Sequence, residues 1–142
     1  MRGAIGGRPI DSRAVGAIDV ELRWTDVDMY GHVHHVAVIA LAEHARSQWL
    51  DAVLEVEQTW DYVIARLAFD YRSPLLWHER FARIAFAPGR IGGSSITLRE
   101  TVSAPDGRVV AEGECVIVAW DVEHARSRPL AAGEIARLER VS

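Results

Sequence analysis

Apolar and polar residues alternate from Ile18 to Trp24, with Ile18, Val20, Leu22 and Trp24 falling on one side. A period of two marks a strand with one buried face. The pattern changes at His35. From there to about Leu54, Val38, Ala42, Ala45, Trp49 and Val53 recur at helical steps. Ile39, Leu41 and Leu50 carry apolar character onto other faces, so this helix is expected to be enclosed by the rest of the fold. The second half reads as strands. Trp60 to Tyr71 is a long run stopped by Ser73-Pro74. Glu79 to Phe86 alternates and stops at Pro88-Gly89-Arg90. Ser94 to Ser103 alternates through Ile96, Leu98 and Thr101. Pro105-Asp106-Gly107 signals a hairpin, and Arg108 to Trp120, rich in Val and Ile, is the last strand. A short helix from about Ala131 to Leu138 closes the chain.

These elements predict an α+β domain over residues 17–142, preceded by a flexible Gly- and Arg-rich lead-in over 1–16. One apolar helix and an antiparallel sheet satisfy each other when the sheet curves around the helix. The sheet edges then need cover, which predicts self-association as a homodimer or homotetramer.

Composition narrows the class. With 142 residues, 49% hydrophobic and 25% charged, the chain fits one domain with a real core. A net charge of −4 gives no footprint for nucleic acid. Lys and Asn are absent, which reads as coding bias and not as Arg chosen for phosphate. The single Cys115 forbids an intrachain disulfide and suits a strand core. No run approaches the roughly 20 apolar residues of a membrane span, and the first residues lack a signal-like apolar segment, so a cytoplasmic setting is expected.

The chemistry concentrates in Arg23-Trp24-Thr25-Asp26-Val27-Asp28-Met29-Tyr30-Gly31-His32-Val33-His34-His35, between the first strand and the long helix. A helix N-terminus offers unpaired N–H groups and the positive end of a dipole. A carboxylate held beside such donors suits attack on a polarised carbonyl, which points to an enzyme acting on an acyl group. A metal site built from His32, His34, His35, Asp26 and Asp28 is the weaker reading, because ligands must converge and no Cys/His pair elsewhere supports it. No metal or redox cofactor is implied.

The strand, the Asp-x-Asp-x-x-Gly-His-Val element and a helix carrying Glu43-x-x-Arg46 together resemble the hotdog-fold acyl-CoA thioesterases of the 4-hydroxybenzoyl-CoA thioesterase type. Asp70-Tyr71-Arg72-Ser73-Pro74, Ser94-Ser95, Asp106-Gly107, Ala111-x-Gly113 and Arg128-Pro129-Leu130 fit as well, so the resemblance spans roughly residues 18–140. It implies a long central helix wrapped by a curved antiparallel sheet, and hydrolysis of an acyl-CoA or acyl-carrier-protein thioester. It puts the catalytic carboxylate on Asp28, as nucleophile or general base, and the carbonyl-polarising backbone N–H near His35. Gly31 would allow the tight loop. Many members carry Asn or another residue where this chain has His34-His35, which leaves pocket polarity and substrate open.

Other residues are weighed beside these. Asp26 reads as structural, orienting the loop. Glu43 is the backup catalyst, since a helix carboxylate at about this place serves a second subgroup of the fold; a local ion pair with Arg46 is its plainer role. Tyr30, His32, Tyr71, Arg72, Arg90, Ser94 and Ser95 are candidates for binding substrate, with Arg suited to the CoA phosphates. The Trp residues are core by default, with Trp49 and Trp60 able to shape an acyl pocket. The alternatives to a hydrolase are a non-catalytic acyl-CoA-binding module and a dehydratase or hydratase of the same fold.

Overall fold

A computed structural model describes residues 16–55 and 61–142. The helix expected from His35 forms as α1 (His35–Leu54) and ends where Glu55 enters the left-handed region. It follows β1 (Ala17–Glu21) and precedes β2 (Tyr62–Tyr71), β3 (Phe81–Ile91), β4 (Ser95–Ser103) and β5 (Val109–Asp121). A two-residue β6 (Arg126–Ser127) and α2 (Ala132–Glu139) complete the chain. The lead-in expected over 1–16 lies, apart from Gly16, outside the described residues, as does Trp60.

All strand pairings are antiparallel, in the order β1-β3-β4-β5-β2, with β6 beside β5. The curved sheet holds α1 against one face. Strands β3 and β4 alternate buried and open positions as their sequence pattern demands. Their inward side chains meet Val38, Leu41, Ala42, Ala45, Trp49 and Val53 of α1 in one apolar core. The fully buried Trp49 ring packs on Phe86, centroids 5.4 Å apart.

Three local expectations are corrected. The first strand stops at Glu21, and Trp24 begins a 3₁₀ turn in which it is 78% exposed. Being core therefore does not extend to Trp24, nor to the exposed Trp77. Pro88-Gly89-Arg90 does not end a strand. It lies inside β3 as an irregularity of register between Pro88 and Ile91, a place where a residue without an N–H is tolerated. The chain reverses after Ile91, where the Gly92 N–H reaches the Ser95 carbonyl at 2.7 Å. Helix α1 is not enclosed all round, since Val36, Ala40, Glu43, His44 and Ser47 form a stripe open to solvent.

Strand β2 is unlike its neighbours. It pairs with β5 along one side and ends the sheet on the other. Val63, Ile64 and Leu67 are exposed on it. Gly113 is required beside it: a Cβ there would stand 1.9 Å from the Ala68 carbonyl oxygen, so no side chain fits between β5 and β2.

Cys115 is fully buried in β5. Burial pushes its thiol up to about 11, against a downward pull from Arg46. The thiolate is therefore scarce at neutral pH, and the sulfur is shielded as well. A disulfide reagent at pH 8 is expected to leave the native protein unlabelled and to titrate this thiol once denaturant is added.

Candidate active site

The loop between β1 and α1 is a small hairpin. Asp26 closes its base. The side chain is 3% exposed, one carboxylate oxygen accepts the Arg23 backbone N–H at 2.8 Å, and the other accepts the Arg23 guanidinium at 2.8 Å. The Asp26 carbonyl accepts the His34 N–H at 2.7 Å, so one residue ties both ends of the loop. Val27 then bridges to Val33, and the Asp28 N–H donates to the His32 carbonyl at 2.9 Å. The turn is closed by the Gly31 N–H on the Asp28 carbonyl at 3.1 Å, with Gly31 at φ +74°, the left-handed region that glycine enters at least cost. The hairpin leans on the segment after β2. Val33 donates to the Leu75 carbonyl at 2.7 Å and Trp77 to the Gly31 carbonyl at 3.3 Å.

This folding puts the Asp28 carboxylate over the turn. Its Oδ1 accepts the Tyr30 N–H at 2.9 Å and the His32 N–H at 3.2 Å. Among the described residues nothing hydrogen-bonds to Oδ2. The carboxylate is thus oriented through one oxygen and half-buried, with the other oxygen available. The Tyr30 ring lies 6.2 Å from that of His32.

Helix α1 starts three residues past His32. His34 is its N-cap, with Nδ1 accepting the Val36 N–H at 3.2 Å. The amides of His35 and Ala37 have no acceptor among the described residues. They point out of the positive end of a 20-residue helix. The His34 and His35 rings stack at 4.5 Å. The Tyr71 hydroxyl, at the end of β2, donates to the His35 carbonyl at 2.7 Å and so braces the first helical turn. Partial burial pushes that hydroxyl above its ordinary range, which keeps it a donor.

The structure therefore gathers Asp28, Tyr30, Gly31, His32, His35 and Tyr71 at one end of the sheet. Glu43 is on the open stripe of α1 with Val36 and Ala40. Its expected partner is elsewhere: Arg46 turns inward to Glu100, at 2.5 and 2.9 Å. Among the described residues no group of three or more His, Cys, Asp or Glu side chains is arranged to hold a metal.

Arg90, Ser94 and Ser95 also come together, but at the other end. They line a groove of about 690 Å³ with Thr97, Ser127 and Arg128. Ser95 is level with Val118, whereas Tyr71 is level with Ala111 and, across β5, with Val102. Ser95 and Val102 are seven residues apart in β4, roughly 23 Å at the rise of an extended strand. Arg72 is not in this groove; it pairs with Glu112 at 3.1 Å. Arg128, held by Asp61 at 2.6 Å and Glu134 at 2.7 Å, is a groove residue that the family resemblance matched without giving it a binding role. The sequence did not flag Glu100, which nothing separates from other strand polar residues until the fold buries it, and it did not give His34 its role as the helix N-cap, for which His is an unusual type. Trp49 is fully buried in the core.

Three solved structures are similar over most of the chain. A thioesterase from Thermus thermophilus, complexed with coenzyme A and Zn, is 25% identical with a TM-score of 0.75, covering 89% of this chain and 93% of that one. A predicted thioesterase from Bacillus stearothermophilus is 22% identical with a TM-score of 0.80, covering 89% and 95%. A 1,4-dihydroxy-2-naphthoyl-CoA thioesterase from Synechocystis shares the fold at 11% identity, with a TM-score of 0.73 and coverage of 87% and 94%. No curated protein matches the sequence. The family model of the Thioesterase-like superfamily matches residues 22–137, from the hairpin through α2, and by that match and this hotdog architecture the chain belongs to the superfamily and is a thioester hydrolase.

Proposed function

We propose that this protein is an acyl-CoA thioesterase in which Asp28 supplies the carboxylate and the His35 N–H polarises the thioester carbonyl. One observation carries the reading. Among the described residues Asp28 is pinned through Oδ1 and open at Oδ2, in a hairpin that leads straight into a helix whose first amide has no acceptor. Oδ2 adds to the carbonyl carbon, or takes the proton of an attacking water. Either way, negative charge grows on the carbonyl oxygen, where the amide and the helix dipole stabilise it. In the general-base branch the C–S bond then breaks and the thiolate leaves with the proton that Asp28 took from water, giving the free acid. In the nucleophilic branch the thiolate leaves an acyl–Asp28 anhydride, which water cleaves to the acid and the free carboxylate, its released proton going to the thiolate. This is the chemistry expected of the 4-hydroxybenzoyl-CoA thioesterase type, with the acyl group left unassigned.

The active form in this reading is a homodimer joined along β2. A ten-residue edge strand with exposed Val63, Ile64 and Leu67 is a ready template for pairing with a second copy. Antiparallel pairing about a two-fold axis brings the Tyr71 end of one β2 beside the Tyr62 end of the other. The hairpin of one copy then meets the Arg90–Ser94–Ser95 groove of its partner copy, and a site split between the two ends of one chain becomes whole. Arg90 in that groove suits the CoA phosphates.

Asp28→Asn keeps the size of the side chain and removes its charge. In a thiol-release assay on acyl-CoAs its kcat is expected to fall about 10²–10⁴-fold with KM little changed. Glu43→Gln is expected to cost less; the reverse order moves the catalytic carboxylate to α1.

Light scattering at micromolar protein is expected to give at least a dimer. Val63→Asp/Leu67→Asp is expected to give a monomer with little activity, and a monomeric active wild type would refute the assembly.

Arg90→Ala is expected to raise KM for an acyl-CoA while leaving the N-acetylcysteamine thioester of the same acyl group unaffected. Equal effects on both substrates would remove Arg90 from phosphate binding.

A further inference from the structure

The core under α1 contains an ion pair whose members, Arg46 and Glu100, are both shut away from water. Arg46, in the middle of α1, is 3% exposed, and Glu100 of β4 is 1% exposed. The guanidinium grips both carboxylate oxygens, Nε to Oε1 at 2.5 Å and Nη2 to Oε2 at 2.9 Å. Glu100 stands in a cross-strand row between Phe86 of β3 and Gly113 of β5. Phe86 in turn carries the Trp49 ring, one turn along α1 from Arg46. No buried side-chain polar atom among the described residues lacks a partner, so the pair is fully satisfied.

Such a pair is a poor source of stability. Burial pushes the Glu100 carboxyl up in spite of Arg46, so its charge remains costly in this place. For the guanidinium, burial pulls down, while the hydrogen bond and charge of Glu100 more than restore it. Desolvation of two buried ions commonly cancels their attraction, and apolar residues of similar volume often do as well or better. What the pair offers is direction. Over its first two turns helix α1 is apolar on every face: Val36, Ile39 and Ala40 would fill sheet-facing positions about as well as Val38, Leu41 and Ala42. In that stretch, which carries the helix start, burial alone separates one rotation from the next only weakly. A bidentate fork closing on one carboxylate tolerates neither a 100° rotation nor a slide along the axis.

We propose that the Arg46–Glu100 pair is a positioning device, which fixes the rotation and axial position of α1 on the sheet and thereby aims the His35 N–H at the carbonyl beside Asp28. This rests on the thioesterase reading of the loop. Arg46 is eleven residues after His35 on one continuous helix, so a rotation at one is a rotation at the other. The contacts at the start of α1 — Tyr71 on the His35 carbonyl and the His34 amide on Asp26 — are hydrogen bonds that a turned helix would lose.

The test replaces both partners, as Arg46→Met/Glu100→Met. Its melting temperature is expected to stay level or rise, while kcat on the best acyl-CoA falls between about tenfold and 100-fold. KM is expected to stay within about twofold, because the groove at the far end of the sheet is untouched. In nitrogen–proton correlation spectra the amides of His35, Val36 and Ala37 should shift and their hydrogen exchange should quicken. Unchanged kcat and unchanged amides in a stable double variant would overturn the proposal. If the wild type hydrolyses no thioester, the functional reading falls, and the amide shifts still decide whether the pair positions the helix. If the double variant does not fold, Arg46→Lys carries the same readouts. It keeps the charge and loses the fork, and wild-type kcat with wild-type amides in it would refute positioning.

Discussion

The structure depends on burying an apolar helix against one side of one sheet. Helix α1 has little choice but to be covered, and β3, β4 and β5 present the apolar face that covers it. The proposed chemistry hangs from that contact. The hairpin that carries Asp28 ends in the first residue of α1, and its outer side rests on Leu75 and Trp77. Carboxylate and helix amide are thus mounted on the same rigid pair of layers, and neither relies on a long mobile loop for its place.

The loop shows how ordinary turn physics leaves one carboxylate oxygen uncommitted. An aspartate in a turn usually engages nearby backbone N–H groups with its side chain. Asp28 does so with one oxygen only. Asp26, two residues earlier, commits both of its oxygens to Arg23 and is buried. Identical side chains in adjacent turns are divided by their surroundings into a structural carboxylate and an available one. The helix start is divided in the same way. His34 satisfies the Val36 amide, and the His35 amide has no acceptor among the described residues.

In the homodimer reading the single chain is incomplete. Among the described residues its β2 edge is unpaired on one side, and its groove at Arg90 and Ser95 is a sheet-length from Asp28. An edge strand that would be an aggregation hazard in a monomer becomes an assembly surface in the homodimer reading. Gly113 fits this picture, since it lets β2 lie close on β5 without a side chain between them.

Much of this was legible in the chain. Periodicity alone marked α1 from His35 to Leu54, and the Asp-to-His stretch marked the loop, because helical and strand periods and turn residues are local properties. The Pro88–Arg90 reading failed because Pro and Gly signal a bulge and a turn alike, and only the pairing partner distinguishes them. The Glu43–Arg46 expectation failed for a similar reason: spacing on a helix brings two charges near, but a carboxylate 54 residues away in β4 holds Arg46 instead. Sequence by itself determined which segments are helix and strand, which loop carries the carboxylate, and that one core would form. Tertiary structure decided which oxygen of Asp28 is free, where Arg46 points, and that Arg90 and Ser95 stand apart from Asp28 within the chain. Those are matters of long-range pairing, set by which strands meet and in what register, and no local pattern encodes them.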